Sequence, residues 1–311
     1  MQTVNFSGLA ISRLTLGTVQ FGMDYGIANK GGRLSYRDVH TIIAQAYEGG
    51  VNTFDTAAGY GESEKIIGRI FQDLNIADKV VIITKVCHLE KRTLSDHAAD
   101  ELWKRSVVDS LNNLQLDVLP VCLIHTEEDF SHISSLMRLK DQGLVGRVGI
   151  SVMTPAAGRE ILSSGLVEAM QIPSNILDRR FINSEIISQA KDKGLALFVR
   201  SVYLQGLLLM PEADMPAELA AVAPVRRNLK ELANRAGMDV AEMALRYILA
   251  IEGVTSILTG VDSPEQMRQN LELFEKGPLS PDLVTAITGM VPDLPDNILM
   301  PTRWSRPASP R

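Results

Sequence analysis

NTFDTAAGYGESEKIIGR, residues 52–69, opens as a strand, NTFDT, that delivers Asp55 near its end and Tyr60 in the loop just beyond. Two later apolar runs repeat the pattern. VVIITK (80–85) closes on Lys85, and VLPVCLI (118–124) hands directly to His125. LTLGT (14–18) precedes these three, and RVGIS (147–151), VEAMQI (167–172), LALFV (195–199) and VTSILTG (254–260) follow them, eight runs in all. They are β-branched and nearly continuous in hydrophobicity, as parallel strands covered on both faces must be.

Amphipathic segments with helix signals lie between the runs. SYRDVHTIIAQAYEGG opens on Ser35 as a candidate N-cap, and TPAAGREILSSG carries Pro155 at a first helical position. SHISSLMRLKDQG (131–143) and NSEIISQAKDKG (183–194) likewise end in glycine shortly before the next strand. This alternation predicts an α/β fold, a (β/α)8 TIM barrel formed by residues 1–311 as a single domain. QTVNF and AISRL, separated by SGL, read as an N-terminal β-hairpin ahead of the barrel. The stretch from Tyr203 to Val254 is too long for one loop and helix. It predicts a substrate-facing loop around LLLMPEADMP and extra C-terminal helices near 217–236 and 240–251. The proline-rich tail, about 291–311, reads as irregular, with Trp304 either folded over the pocket or on the surface.

The 45% hydrophobic share is enough for a large core, and the net charge of −6 argues against a nucleic-acid partner. No run approaches membrane-spanning length, and MQTVNFSGLA lacks the pattern of a secretory leader, so no membrane association and a cytoplasmic location are expected. The two cysteines, Cys87 and Cys122, do not suggest a disulfide framework. Composition is silent on the oligomeric state. No His-x-His, HExxH or CxxC motif points to a metal.

Parallel barrels build their sites from the loops at the C-terminal rim of the strands, which is where Asp55, Tyr60, Lys85 and His125 fall. Each alone has a plain structural explanation: a turn aspartate, loop filler, a solvated rim lysine, a capping histidine. Together they fit carbonyl reduction, which needs a hydride donor on one face and a proton for the developing alkoxide. Tyr60 would supply the proton, with its pKa lowered by the Lys85 ammonium that Asp55 holds, while His125 orients the carbonyl oxygen.

The segments FDTAAGYGESEKIIGR, IITK and LIH resemble the core signatures of the aldo-keto reductases, from the first strand to the helix near residue 275. The resemblance implies a catalytic tetrad of Asp55, Tyr60 as general acid, Lys85 and His125. It also implies a nicotinamide cofactor and a small-molecule carbonyl substrate. Ser151, Gln171 and Asn175 match positions that hold the carboxamide, and Ser201, Leu204, Gln205 and Gly206 resemble the pyrophosphate loop. Gly260, Ser263, Gln266 and Asn270 match the adenosine end. Val152 stands where many members have Asn. Arg200 stands where an aromatic residue often stacks on nicotinamide; it would stack in its place and also bring a positive charge near the substrate, with a rim salt bridge as the alternative. NADP(H) is favoured on the family pattern, with NAD(H) close behind, because Thr259 and Gln266 replace basic residues and Arg268 would have to compensate. The first-strand loop brings Gln20, Phe21, Met23, Tyr25 and Arg33 to the rim. Its GTVQFG-DYGIAN pattern resembles a bacterial branch associated with sugar metabolism, implying a polar, hydroxylated substrate. The alternatives are a cofactor-bound regulatory barrel with little turnover and a Schiff-base aldolase acting through Lys85.

Overall fold

Period-two alternation along each barrel strand separates two cores, and that separation places the site. A computed structural model describes residues 1–29, 31–89 and 94–304. A hairpin of β1 (Thr3–Phe6) and β2 (Leu9–Ser12) precedes β3 (Leu14–Gly17), β4 (Thr53–Asp55), β5 (Val81–Lys85) and β6 (Leu119–Ile124). The remaining strands are β7 (Val145–Ser151), β8 (Ala169–Pro173), β9 (Ala196–Arg200) and β10 (Ser256–Gly260). Strands β3 to β10 pair in parallel and in order, and β10 closes on β3. All eight runs read from the sequence are barrel strands, with ends shifted by a residue or two.

Inward side chains of β5, β6, β8 and β9 (Val81, Ile83, Val121, Leu123, Ala169, Ala196 and Phe198) fill the barrel interior. Phe6 and Ile11 of the hairpin join them and plug the N-terminal end. The hairpin turn itself rests on left-handed Ser7 and Gly8 (φ 48° and 88°), as a tight two-residue hairpin requires. The much larger second cluster lies between the sheet and the helices.

The helices are α1 (Val19–Gly22), α2 (Tyr36–Glu48), α3 (Ser63–Asp73), α4 (Asp96–Leu114), α5 (Ile133–Asp141) and α6 (Pro155–Ser164). They continue with α7 (Ile186–Asp192), α8 (Ala223–Arg235), α9 (Val240–Leu249), α10 (Pro264–Glu275), α11 (Pro281–Met290) and α12 (Asp296–Leu299). Ser35 caps α2 by accepting from the Asp38 N–H, and Thr154 caps α6 with Pro155 at its first position, as the sequence implies. Among the described residues no helix is long and apolar enough to cross a membrane.

Two expectations change. LLLMPEADMP is held against the helical layer: Leu207, Leu208 and Met210 are buried in the outer core, and Arg226 of α8 donates to the Leu208 and Met210 carbonyls. Leu207, Leu208 and Met210 thus serve packing, while Leu209 is exposed. The tail is also more ordered than its prolines suggest, because Pro295 and Pro301 start short helical turns. Trp304 is neither a surface residue nor loose; it is 7% exposed, joins the outer core and donates its indole N–H to the Ile298 carbonyl. Residues 305–311 lie outside the described residues.

Candidate active site

The inward row that fills the barrel continues upward into polar residues at its C-terminal end. Two residues past Ile83 stands Lys85; two past Leu123, His125; two past Ala169, Gln171; two past Phe198, Arg200. Strand register brings Asp55 of β4 alongside Ile83 of β5 and Ser151 of β7 alongside Gln171 of β8. The sheet geometry therefore gathers at one mouth what the sequence spreads over 150 residues.

Asp55 and Lys85 are almost fully buried, at 3% and 1% exposed, and the Lys85 ammonium lies 2.8 Å from both Asp55 carboxylate oxygens. Its third donor goes to the Thr56 carbonyl at 2.8 Å. All three ammonium protons thus have acceptors, which a buried lysine needs. Gln171 donates to Asp55 Oδ1 at 2.7 Å from across the barrel. The amide the sequence assigned to a cofactor is in part a brace for Asp55.

Above this pair, Lys85 Nζ lies 5.1 Å from the centre of the Tyr60 ring, and His125 meets that ring edge-on at 5.7 Å. His88, from the loop after β5, stacks on His125 at 4.2 Å. Burial, together with the cations Lys85 and Arg200, pushes the His125 pKa down to about 2, so the imidazole is neutral at physiological pH. Its Nδ1 is buried close to Gly59 and has no hydrogen-bond partner among the described residues.

Tyr60 departs from the sequence expectation. Burial first, then the Asp55 carboxylate, raise its pKa well above the usual phenol value, and only Arg200 opposes them. Burial disfavours the phenolate, and the Asp55 carboxylate beside Lys85 offsets the pull that the ammonium would exert on the phenol. Burial likewise lowers the Lys85 pKa against the opposing pull of Asp55. Tyr60 is therefore a protonated phenol at neutral pH.

Sequence reasoning missed what holds the Tyr60 loop. Thr18, Thr56 and Ser63 form a buried hydroxyl cluster: Ser63 Oγ donates to the Thr18 carbonyl at 2.9 Å and lies 2.8 Å from Thr18 Oγ1. Gly22 presses against the same loop so closely that a Cβ there would lie 1.8 Å from the Tyr60 carbonyl oxygen. A second buried carboxylate, Glu64, accepts from Thr84 Oγ1 at 2.6 Å behind β5. These contacts join segments dozens of residues apart, and no local motif announces them.

The other expected residues divide. Ser151 is buried at the mouth, in register with Gln171. The Asn175 side chain is committed to its own turn, accepting from the Leu177 and Asp178 N–H groups and donating to the Ser201 carbonyl. Ser201, Leu204 and Gln205 all adopt left-handed backbone (φ 65°, 48° and 53°), followed by Gly206 at 90°. Such strain, about 1 kcal/mol or more per residue, concentrates at functional loops. Gln205 donates to the Tyr25 hydroxyl at 3.2 Å, tying this loop to the one after β3. At the end of β10, Gly260 leaves room for the Gln20 amide, which lies beside the Asp262 carboxylate. Gln20 Oε1 and Asp262 Oδ1 remain as buried acceptors without partners. Ser263 caps α10, Gln266 accepts from the Asp262 N–H at 2.8 Å, and Asn270 donates to Thr259 Oγ1 at 3.2 Å. Phe21 is wholly buried in the outer core and so does not line the mouth, and Arg33 pairs with Glu62 at 2.8 Å.

A barrel whose rim gathers an ion pair, a protonated phenol and a neutral imidazole has the outline of a carbonyl-reducing enzyme, and comparison with known proteins agrees. The model of the Aldo/keto reductase family matches residues 13–291, and the chain belongs to that family of nicotinamide-dependent oxidoreductases. It is 28% identical to the NADH-specific methylglyoxal reductase of Escherichia coli, over 85% of this chain and 90% of that protein. It is 26% identical to a pyridoxal 4-dehydrogenase of Microbacterium luteolum, over 87% of this chain and 91% of that one. In fold it is similar to an aldo-keto reductase of Bacillus halodurans in its holo form. That match has a TM-score of 0.77 at 23% identity and covers 98% of this chain and 100% of the other.

Proposed function

We propose that this chain reduces an aldehyde or ketone to an alcohol with NAD(P)H, and that Tyr60 donates the proton. The observation that carries the reading is the stack at the mouth: Lys85 held by both Asp55 oxygens at 2.8 Å, under the Tyr60 ring at 5.1 Å, with His125 edge-on at 5.7 Å. A protonated phenol is the form that gives up a proton, and burial keeps Tyr60 in that form. The neutral His125 imidazole donates an N–H to the carbonyl oxygen and so polarises it. Lys85 receives the phenolate charge as it develops, and Asp55 with Gln171 keeps the ammonium in place.

The bound nicotinamide supplies the hydride. The residues present fit it: Ser151 faces the mouth, the strained Ser201–Gly206 loop and the N-terminus of α10 flank it, and Gln20 and Asp262 offer unpartnered buried acceptors beside Gly260. Acceptors of this kind suit ribose hydroxyls and repel phosphate. Arg268, which would have to compensate for a 2′-phosphate, pairs with Glu265 instead. These features favour NAD(H) over the NADP(H) preference suggested by the family pattern.

The test is a fluorescence titration with NADH and NADPH, followed by a broad carbonyl screen with wild type and Tyr60→Phe. Expected are binding, turnover, and a loss of at least about 100-fold in kcat for the variant. Absence of cofactor binding refutes the reading, and full activity in Tyr60→Phe refutes the proton donor. Binding without any turnover turns the assignment to a regulatory barrel.

A further inference from the structure

Among the described residues, Arg200 is the inward-row cation at the mouth whose charge no carboxylate balances. Lys85 is neutralised by Asp55, and His125 is uncharged at physiological pH. Arg200, at the end of β9, is half-buried and donates to Ser201 Oγ at 3.2 Å and to the Met153 sulfur, both neutral. No carboxylate among the described residues pairs with it. The nearby Glu127 is spent on the Met153 and Thr154 N–H groups and the Thr154 hydroxyl. Contrast Arg180, 20% exposed, which takes up Asp178 and Asp296. A guanidinium withdrawn from water without an acid is costly unless a ligand supplies one.

The same corner holds a second donor. Tyr25 rides on the loop after β3, which packs on the loop after β9 through Gly26 against the Gln205 carbonyl and Ala28 against Gly206. Gln205 donates to the Tyr25 oxygen at 3.2 Å, which leaves the phenol proton available to a ligand. The ring is 37% exposed, yet its hydroxyl lies within electrostatic reach of Tyr60, Arg200 and Lys85. A guanidinium fork and a phenol that converge beside the proton donor match an acid group in charge and in donor count.

We propose that Arg200, seconded by Tyr25, binds an anionic group carried by the substrate, so that the physiological substrate is a polar aldehyde or ketone bearing a carboxylate or a phosphate. This rests on the carbonyl-reductase reading of the same mouth. It gives Arg200 a substrate-recognising role in place of the stacking surface suggested by the sequence.

The experiment compares kcat/KM for matched pairs: 4-oxobutanoate against butanal for carboxylate, and glyceraldehyde 3-phosphate against glyceraldehyde for phosphate. Wild type is expected to prefer the acid of at least one pair by tenfold or more, and the pair that shows it names the acid. In Arg200→Gln that preference falls about 10- to 100-fold, mainly through KM, the scale of a charge-assisted hydrogen bond. Taking the ratio within a pair cancels any effect of the substitution on Tyr60 that both members share. Tyr25→Phe lowers the ratio less. Malonate and inorganic phosphate, titrated by calorimetry into the NADH-loaded protein, should bind wild type and not Arg200→Gln, a readout independent of turnover. Reduction of neutral aldehydes with no acid preference overturns the inference and leaves the reductase reading standing. So does a loss of NADH affinity in Arg200→Gln that equals the loss in kcat/KM for both members of a pair. If no carbonyl turns over, the reductase reading fails, and calorimetry alone then supports or sinks the anion site.

Discussion

Replacing Gly22 by alanine tests how Tyr60 is held while leaving the identity of every side chain proposed to act on substrate unchanged. The new Cβ would lie 1.8 Å from the Tyr60 carbonyl oxygen, 2.5 Å from the Ser63 nitrogen and 2.9 Å from the Ser63 Cβ. Those atoms form the turn in which the Ser63 N–H donates to the Tyr60 carbonyl at 3.1 Å and leads into α3. Real Cβ atoms do not approach closer than 3.0 Å, so the two backbones must part by at least 3.0 − 1.8 = 1.2 Å. Helix α1 cannot retreat freely, since Phe21 beside the substitution is wholly buried in the outer core. Much of the displacement therefore falls on the Tyr60 loop. A misplacement near 1 Å costs about 100-fold in rate, and overpacking costs about 1–3 kcal/mol of stability. The assay is kcat for aldehyde reduction, with circular dichroism and NADH binding to show that the barrel survives. Gly289→Ala in α11, where a Cβ meets nothing within 4 Å, is the control and should keep wild-type rate and equal or higher melting temperature. Wild-type kcat in Gly22→Ala would refute the claim that this contact positions the phenol.

Acid stability should report on His125. Its pKa is about 2 in the fold against 6.5 in the unfolded chain, so below 6.5 the unfolded chain takes up a proton that the folded site refuses. Stability from this group is complete above pH 6.5 and declines as pH falls. Because the ring keeps some contact with water, about 1 kcal/mol should be lost by pH 4.5. Urea unfolding of His125→Gln should then show a flatter decline, and parallel curves would contradict the assignment. For the cofactor, Asp262→Ser should tighten NADPH binding about tenfold, the scale of one carboxylate removed from near a phosphate, with NADH affected far less. An unchanged NADPH affinity in a fluorescence titration would remove Asp262 from the adenosine pocket.

The barrel was legible because a parallel strand covered on both faces writes its burial directly into sequence, and VVIIT or LALFV fits little else. The four polar strand ends were legible for the same reason: a period of two carries the inward row from Ile83 to Lys85 and from Leu123 to His125. Helix α4 was less visible, since the buried face that holds Trp103, Val107 and Leu111 also holds Ser106 and Ser110, which dilute its periodicity. What could not be read was made by meetings across the fold. Gly22 and Tyr60, Gln171 and Asp55, and Gln20 and Asp262 are each joined by the closure of the barrel or the docking of a loop. The direction of the Tyr60 shift belongs here too. Sequence placed a lysine near a tyrosine, but only the structure shows that Asp55 takes both of its carboxylate oxygens to that lysine.

That pairing explains why Arg200 matters to the whole mouth. Asp55 joins three strands at one point, since it ends β4 and is bonded by Lys85 of β5 and Gln171 of β8. A carboxylate so engaged keeps Lys85 beneath the phenol, yet its charge raises the Tyr60 pKa. Arg200 is the group that pulls the phenol pKa back down. A substrate acid that seats on Arg200 would cancel this remaining charge as well, and so would raise the Tyr60 pKa further and make the phenol a weaker acid. Tyr60 is protonated with or without that acid, so Arg200 favours an acid-bearing substrate through binding and not through the proton donor.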